Sequence, residues 1–389
     1  MSTAAPNASA GGPLTGVRVL DLSAYIAGPY GCTLLADQGA EVLKIEPPAG
    51  DNLRHYPSTL AHESRAFIGV NRSKRGVVLD LKQQPDREVL LRLVRDADVL
   101  VHNFRPGVPE RLGIAYAQLQ PLNDRLIYCA VTGFGETGPL KDKAGYDQVL
   151  QTYSGMCHEQ GQRGGPPEIL YGSVVDYFAS AMVAAGIASA LYEREKSGRG
   201  QQVGVSLLRA ALTMQSARLV WAEDEPRDVD RDMRSGGLTG LHPTREGYLY
   251  LSANTPHFWR ALCEKTGLMA LSVDPRYDSV KKRALHRDEI VPRLREALAA
   301  RTALEWEVVL RESVPCAASR TVADMFDDPQ VQAEAMVTTL THPTLGSYRS
   351  FTQPWVYSRT PGPEPFAAPT LGQHDEAVRQ QPGGPCAGV

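Results

Sequence analysis

Between residues 17 and 135 short apolar runs alternate with helix-like ones, and no other feature of the chain constrains its fold as much. "VRVLDL" (17–22) reads as a buried strand, "PYGCTLLADQG" (29–39) as a helix stopped by Gly39, and "EVLKIE" (41–46) as the next strand. "DREVLLRLVRDA" (86–97) is an amphipathic helix. "DVLVHNF" (98–104) reads as a strand, and "RLIYCAVTGFG" (125–135) as another that ends in a glycine turn. Strands separated by helices pair in parallel, with the helices crossing over the sheet faces. The expected fold class is therefore α/β, with a doubly wound parallel sheet.

At 389 residues the chain is long enough for two domains. Composition shifts after Val220. "WAEDEPRDVDRDMRSGG" (221–237) reads as a linker or loop, and "EGYLYLSA" (246–253) opens a second region. That region holds "RDEIVPRLREALAARTALEWEVVLRE" (287–312), a helical pattern that Pro292 is expected to interrupt. Beyond residue 340 the chain is rich in Pro and Gly, with short strands such as "SYRSFTQP" (347–354). The N-terminal "MSTAAPNASAGGPLTG" lacks the basic start and apolar core of a signal peptide, so residues 1–15 are expected to be a disordered tail. A net charge of −3 argues against nucleic acid as a partner. The longest apolar run, Ala179 to Leu191, reads as too short and too rich in Ala to span a membrane. The six cysteines are scattered without a CxxC pair. That pattern predicts reduced thiols in a cytoplasmic protein, with neither a disulfide framework nor a zinc site.

One carboxylate stands out. Asp176 heads the apolar run 177–192, and no other charge follows until Glu193. The run has helix-forming composition. Asp is a preferred N-cap, and its charge suits the positive end of a helix. The same residue could instead be a partly desolvated carboxylate acting as a nucleophile. The two roles are compatible, and the residues alone leave both open.

Other clusters are weaker. After the first strand comes "SAYIAGPYGC", without the G-x-G-x-x-G of a dinucleotide fold, so Glu46 reads as a strand-end acid and not as a ribose ligand. No P-loop pattern occurs. Arg72, Lys74, Arg75 and Lys82 could hold phosphates or simply form a solvated strand edge. Asn103, Phe104, Arg105 and Arg111 follow a strand end, where ligands of open α/β sheets gather. Tyr146, Asp147 and His158 lie in "AGYDQVLQTYSGMCH" (144–158); His158 reads as a surface residue and Cys157 as core packing. "RSGGLTGLHPTREG" (234–247) is either a connector or a glycine loop whose amides reach an oxyanion.

Together these segments resemble the class III CoA-transferase family, which includes formyl-CoA transferase, carnitine CoA-transferase and the α-methylacyl-CoA racemases. The likeness runs from "GVRVLDLSAYIAGPYGCTLLADQGAEVLKIEPPAGD" through "NRSKRGVVLDLK", "VHNFRPGVPERLG", "GFGETGP" and "GYDQVLQTYSG" to "VVDYFASAMVAAGIASALYEREKSGRGQQVGVSL". It resumes more weakly at "SVPCAASRTVADMFDDPQ", "HPTLG" and "PTLGQHDE". The resemblance implies an interlocked homodimer. Each chain would build a large CoA-binding domain from residues 16–220 and 336–389, with a smaller α+β domain within 221–335. It places the catalytic aspartate on Asp176. CoA contacts fall on Ile26, Ala27, Leu79, Asp80, Leu81, Lys82, Asn103, Phe104, Arg105 and Arg111, with a further stretch at Lys143, Tyr146 and Asp147. The glycine loop over the reaction intermediate falls on Gly236 and Gly237. CoA and acyl-CoA are implied as substrates, with no permanently bound cofactor and no metal. Two departures from formyl-CoA transferase occur: Ile26 stands where that enzyme has Gln, and Pro47 replaces a basic CoA contact. Racemases carry His in a "GHD" motif, whereas this chain has "GYD" with Tyr146, and a phenol is a poor substitute for an imidazole base. The implied activity is transfer of CoA from an acyl-CoA to a carboxylic acid. The alternatives are a racemase-type isomerase and a non-catalytic acyl-CoA binder.

Overall fold

The computed structural model describes residues 11–160, 165–225 and 238–380. The chain forms two compact units. One runs up to Trp221 and resumes at Gln332; the other is Ala222–Val331.

The first unit is built on six strands: β1 (Arg18–Asp21), β2 (Glu41–Glu46), β3 (Lys74–Val78), β4 (Val99–His102), β5 (Ile127–Thr132) and β6 (Gln202–Ser206). They lie in the order β3-β2-β1-β4-β5-β6, and every pair is parallel. The order reverses between β1 and β4, which opens a crevice at their carboxyl ends. Side chains alternate across the sheet. Val19, Val101, Ile127, Cys129 and Val131 face one core, while Leu20, Leu100 and Tyr128 face the other. The first core contains residues of α1 (Ala27–Ala36), the second residues of α2 (Gln84–Arg95). α3 (Asp147–Tyr153) and α4 (Val174–Ser197) complete the first face.

α4 is 24 residues long, longer than its expected apolar run, and by length and composition it could cross a membrane. Here it is a core helix. Val175, Ala179, Val183 and Ile187 are buried, and Arg194 pairs with Asp98 at 2.8 Å. Gly31 of α1 lets the two helices approach closely: a β-carbon there would sit 2.7 Å from Val183 Cγ1.

The C-terminal segment packs Val378 into the second core and covers the edge strand β3. His374 Nδ1 accepts the amide of Gly76, and the Asp375 carboxylate accepts that of Val78. Covering an edge in this way removes a template for aggregation.

The second unit has an antiparallel sheet of β7 (Gly240–Pro243), β8 (Tyr248–Leu251) and β9 (Cys316–Ala318). It shares a core with α5 (Pro256–Thr266), α6 (Arg287–Leu298) and α7 (Ala303–Leu310), centred on Trp259, Leu294 and Trp306. β10 (Val337–His342) and β11 (Gly346–Phe351) form a hairpin in the first unit.

Several expectations need correction. Pro292 lies inside α6 and does not interrupt it. Pro292 and Asp288 are both exposed, so water can satisfy the carbonyl that the missing amide leaves free. The break comes at Thr302, where Thr302 Oγ1 accepts from Glu305 N and Glu305 accepts from Thr302 N in a capping box. Residues 11–15 are ordered: the Leu14 amide donates to Gln38 O at 2.8 Å. The rest of the expected tail, and most of the expected linker, lie outside the described residues.

Candidate active site

The site starts from the loop after β1, and a buried ion network fixes that loop. Lys74 reaches Asp21 at 2.8 Å, and Lys44 reaches Asp51 at 3.0 Å. Lys44 also donates to Ser23 O, and Lys74 to Pro29 O and Asn71 Oδ1. Burial pushes the Asp21 carboxyl up, but Lys74 and Lys44 together outweigh it and hold the group at about 2. Burial also keeps the Lys74 ammonium below its ordinary range despite Asp21. Asp51 passes this order to the loop, its Oδ1 accepting the amides of Tyr25 and Leu53. Asn103, at the end of β4, accepts the Ala24 amide at 2.9 Å and donates to Ala24 O at 2.7 Å. Tyr25 is thereby held at φ 67, a left-handed conformation that a non-glycine residue adopts only when its surroundings enforce it.

The second element is the N-terminus of α4. Its N-cap is Ser173, also left-handed at φ 57, so Asp176 is the third helical residue and not the cap. The capping carboxylate comes from elsewhere. Asp147 Oδ2 accepts Val175 N at 2.6 Å and Asp176 N at 3.0 Å, and Gln151 donates to Asp147 Oδ1. Asp147 is only 2% exposed and both its oxygens are taken by these bonds, so its place at the cavity wall supports the helix. With those amides occupied, the Asp176 side chain has no hydrogen-bond partner among the described residues. Burial, followed by the adjacent Asp147 charge, raises its carboxyl from 3.8 to about 7.

Both elements line one cavity of about 600 Å³ at the sheet's crevice. Of the expected residues, Ile26, Ala27, Asn103, Phe104, Arg105, Lys143, Tyr146, Asp147 and Asp176 line it. Asp80, Leu81, Lys82 and Arg111 do not, and Leu79 is buried in the second core. Gly236 and Gly237 lie outside the described residues. Two members of the expected basic cluster are not free to hold phosphate. Arg72 is buried against Asp37, and Lys74 is wholly buried in the network above. Glu46 is a strand-end acid that takes Arg54 through both oxygens. His158 is exposed and Cys157 buried, and neither lines the cavity. Sequence reasoning missed Tyr25, Tyr56, Lys141 and Ser173, all of which line it. Lys141 stands beside Lys143 in "KDK" and could have been found from that charge pair. The other three depend on backbone shape.

Arg105, Lys141 and Lys143 are exposed at the cavity, and Lys143 lies over the rings of Phe134 and Tyr153. A carboxylate with raised affinity for its proton thus sits in a cavity of mixed apolar and polar wall with cations at its edge. This arrangement suits nucleophilic chemistry on a substrate that carries phosphates. Among the described residues no group of three or more His, Cys, Asp or Glu is placed to hold a metal ion.

The profile of CoA-transferase family III matches residues 14–375. The chain belongs to CoA-transferase family III. The acetyl-CoA:oxalate CoA-transferase of Acetobacter aceti is 36% identical to this CoA-transferase over 332 residues, covering 84% of this chain and 85% of its own. The succinate–glutarate CoA-transferase of Agrobacterium fabrum is 32% identical over 383 residues, covering 94% of each chain. Among solved structures, a CaiB/BaiF family protein of Brucella suis matches with TM-score 0.84 at 27% identity, covering 95% of this chain and 99% of its own. Rv3272 of Mycobacterium tuberculosis matches with TM-score 0.82 at 28% identity and the same coverage.

Proposed function

We propose that this CoA-transferase carries CoA between an acyl-CoA and a small carboxylic acid on the side chain of Asp176. One observation supports the reading above the others. Asp176 is a cavity-wall carboxylate without hydrogen bonds, and its proton affinity is raised to about 7. A desolvated carboxylate is a stronger nucleophile than a hydrated one, and near neutral pH a large fraction of Asp176 is ionised. Its oxygen attacks the thioester carbonyl, giving an aspartyl–acyl anhydride and CoA thiolate. The thiolate attacks the aspartyl carbonyl, releasing the donor acid and leaving an aspartyl–CoA thioester. The acceptor carboxylate attacks that thioester and again gives an anhydride and thiolate. The thiolate then takes the new acyl group and frees Asp176. Each step exchanges one acyl bond for another, so no external energy source is required. Arg105, Lys141 and Lys143 are positioned to meet CoA phosphates.

The relatives' names include oxalate, succinate and glutarate, which makes short carboxylic acids the first acceptors to test. By family likeness the assembly is an interlocked homodimer. The scattered cysteines, of which all five among the described residues are free, accord with a cytoplasmic location.

The test is covalent trapping. Incubation with acyl-CoA followed by hydroxylamine should leave a hydroxamate on the peptide containing Asp176, and Asp176→Asn should fold yet lose turnover. A fully active Asp176→Asn protein, or an adduct on another residue only, would overturn the mechanism.

A further inference from the structure

Tyr25 has a conspicuous position that the mechanism above does not use. It lines the cavity in a left-handed conformation that two separate anchors enforce, Asp51 on its own amide and Asn103 on Ala24. Strain of this kind persists only where the surroundings over-determine it, and it concentrates at ligand clamps. The ring packs edge-on against Tyr146, with centroids 5.5 Å apart, and against Tyr56 at 6.4 Å. The Tyr25 oxygen accepts from Asn52 Nδ2 at 3.1 Å and from the Tyr146 hydroxyl at 3.4 Å. A phenol oxygen that accepts twice still has its own proton to donate. No described residue takes that proton.

A short chain of contacts connects this donor to the chemistry. Tyr25 touches Tyr146, and Tyr146 immediately precedes Asp147, which bonds the backbone amide of Asp176. Tyr25 and Asp176 line the same cavity, so a short acid held at Asp176 shares that enclosure with the phenol. Uncharged donors on an aromatic wall suit an oxygen acceptor at the far end of a short acid, and a second carboxylate is the strongest such acceptor.

We propose that Tyr25 is a specificity-determining residue whose hydroxyl binds the distal carboxylate of a short dicarboxylic acid. This rests on the reading of Asp176 as the carrier. The bond is made equally in ground and transition states, so its loss raises KM for the acid and leaves kcat nearly unchanged. Tyr25→Phe keeps both ring contacts and removes the hydroxyl, both the proposed donor and the acceptor that serves Asn52 and Tyr146.

The experiment offers straight-chain mono- and dicarboxylates of two to six carbons as acceptors, across a panel of acyl-CoA donors. The wild type should favour the diacid at equal chain length. Tyr25→Phe should lose about 10- to 100-fold in kcat/KM for diacids, the worth of a hydrogen bond to a charged group, through KM. Monoacids should change by less than about twofold, the donor having no partner in them. A wild type that favours monoacids overturns the inference. So does a variant that loses both classes equally, or neither. Hydroxamate trapping separates the two readings. If the label on Asp176 forms in both proteins while selectivity stays put, only the role of Tyr25 falls. If the label is absent from the wild type, the Asp176 reading falls.

Discussion

A carboxylate raised from 3.8 to about 7 by burial and a neighbouring charge carries a stability cost, and Asp176→Asn should reveal it. The proton is bound more tightly in the folded protein than in the unfolded chain. The cost is therefore absent below pH 4, builds as pH rises, and is complete above pH 7. The shift converts to about 4 kcal/mol at full development. An opposing term is smaller: a negative charge in the first turn of α4 gains about 0.3–1 kcal/mol from the helix end, and Asn forfeits that. Burial wins, so substrate-free Asp176→Asn should be more stable than wild type by about 3 kcal/mol at pH 8. At pH 5.5, midway through the titration, the advantage should fall to about half. Urea denaturation of both proteins at the two pH values, followed by circular dichroism, measures the gap, and titrating groups not coupled to Asp176 cancel in the difference. A variant less stable than wild type at pH 8, or a gap that does not change between the two pH values, would refute the reasoning. A gain in stability coupled to loss of turnover is the trade-off expected of a residue kept for chemistry.

Two further outcomes follow from the packing around Asp176. Asp147→Asn keeps an oxygen that can accept the Val175 and Asp176 amides but removes the charge that raises Asp176. The acid limb of the pH–rate profile should therefore move to lower pH; an unmoved limb would contradict the assigned cause. Gly31→Ala gains about 1 kcal/mol of helix propensity but forces a methyl to within 2.7 Å of Val183, so a net loss of about 1–2 kcal/mol in urea denaturation is expected.

The sheet was legible because each strand's information is local. "EVLKIE" became β2 with the same bounds, and the strands read at 17–22, 98–104 and 125–135 became shorter β1, β4 and β5. β6 went unread, because "QVGVS" is short, contains glycine and follows a long helix. Charge was misread where its meaning depends on strand order. Lys74 looks like a solvated cation in sequence, yet β3 lies beside β2 and one strand from β1, close enough for Lys74 to meet Asp21 53 positions away. A pattern of residue types carries no trace of such a partner.

The cap on α4 shows the same limit at the site itself. Asp at the head of an apolar helix predicts a residue that caps its own helix, because caps in sequence are read within three positions. Here the carboxylate that bonds the amides is Asp147, 28 positions before Val175. That exchange of roles has a chemical consequence. Had Asp176 capped α4 itself, hydrogen bonds from the amides would have stabilised its ionised form and lowered its basicity. Because Asp147 takes the amides, Asp176 keeps a carboxylate without partners in a cavity wall, and the Asp147 charge raises its proton affinity further. The feature that makes Asp176 look like an ordinary helix start in sequence is the function the fold has moved to another residue, and moving it leaves the Asp176 carboxylate unbonded, as the nucleophilic role proposed for it requires.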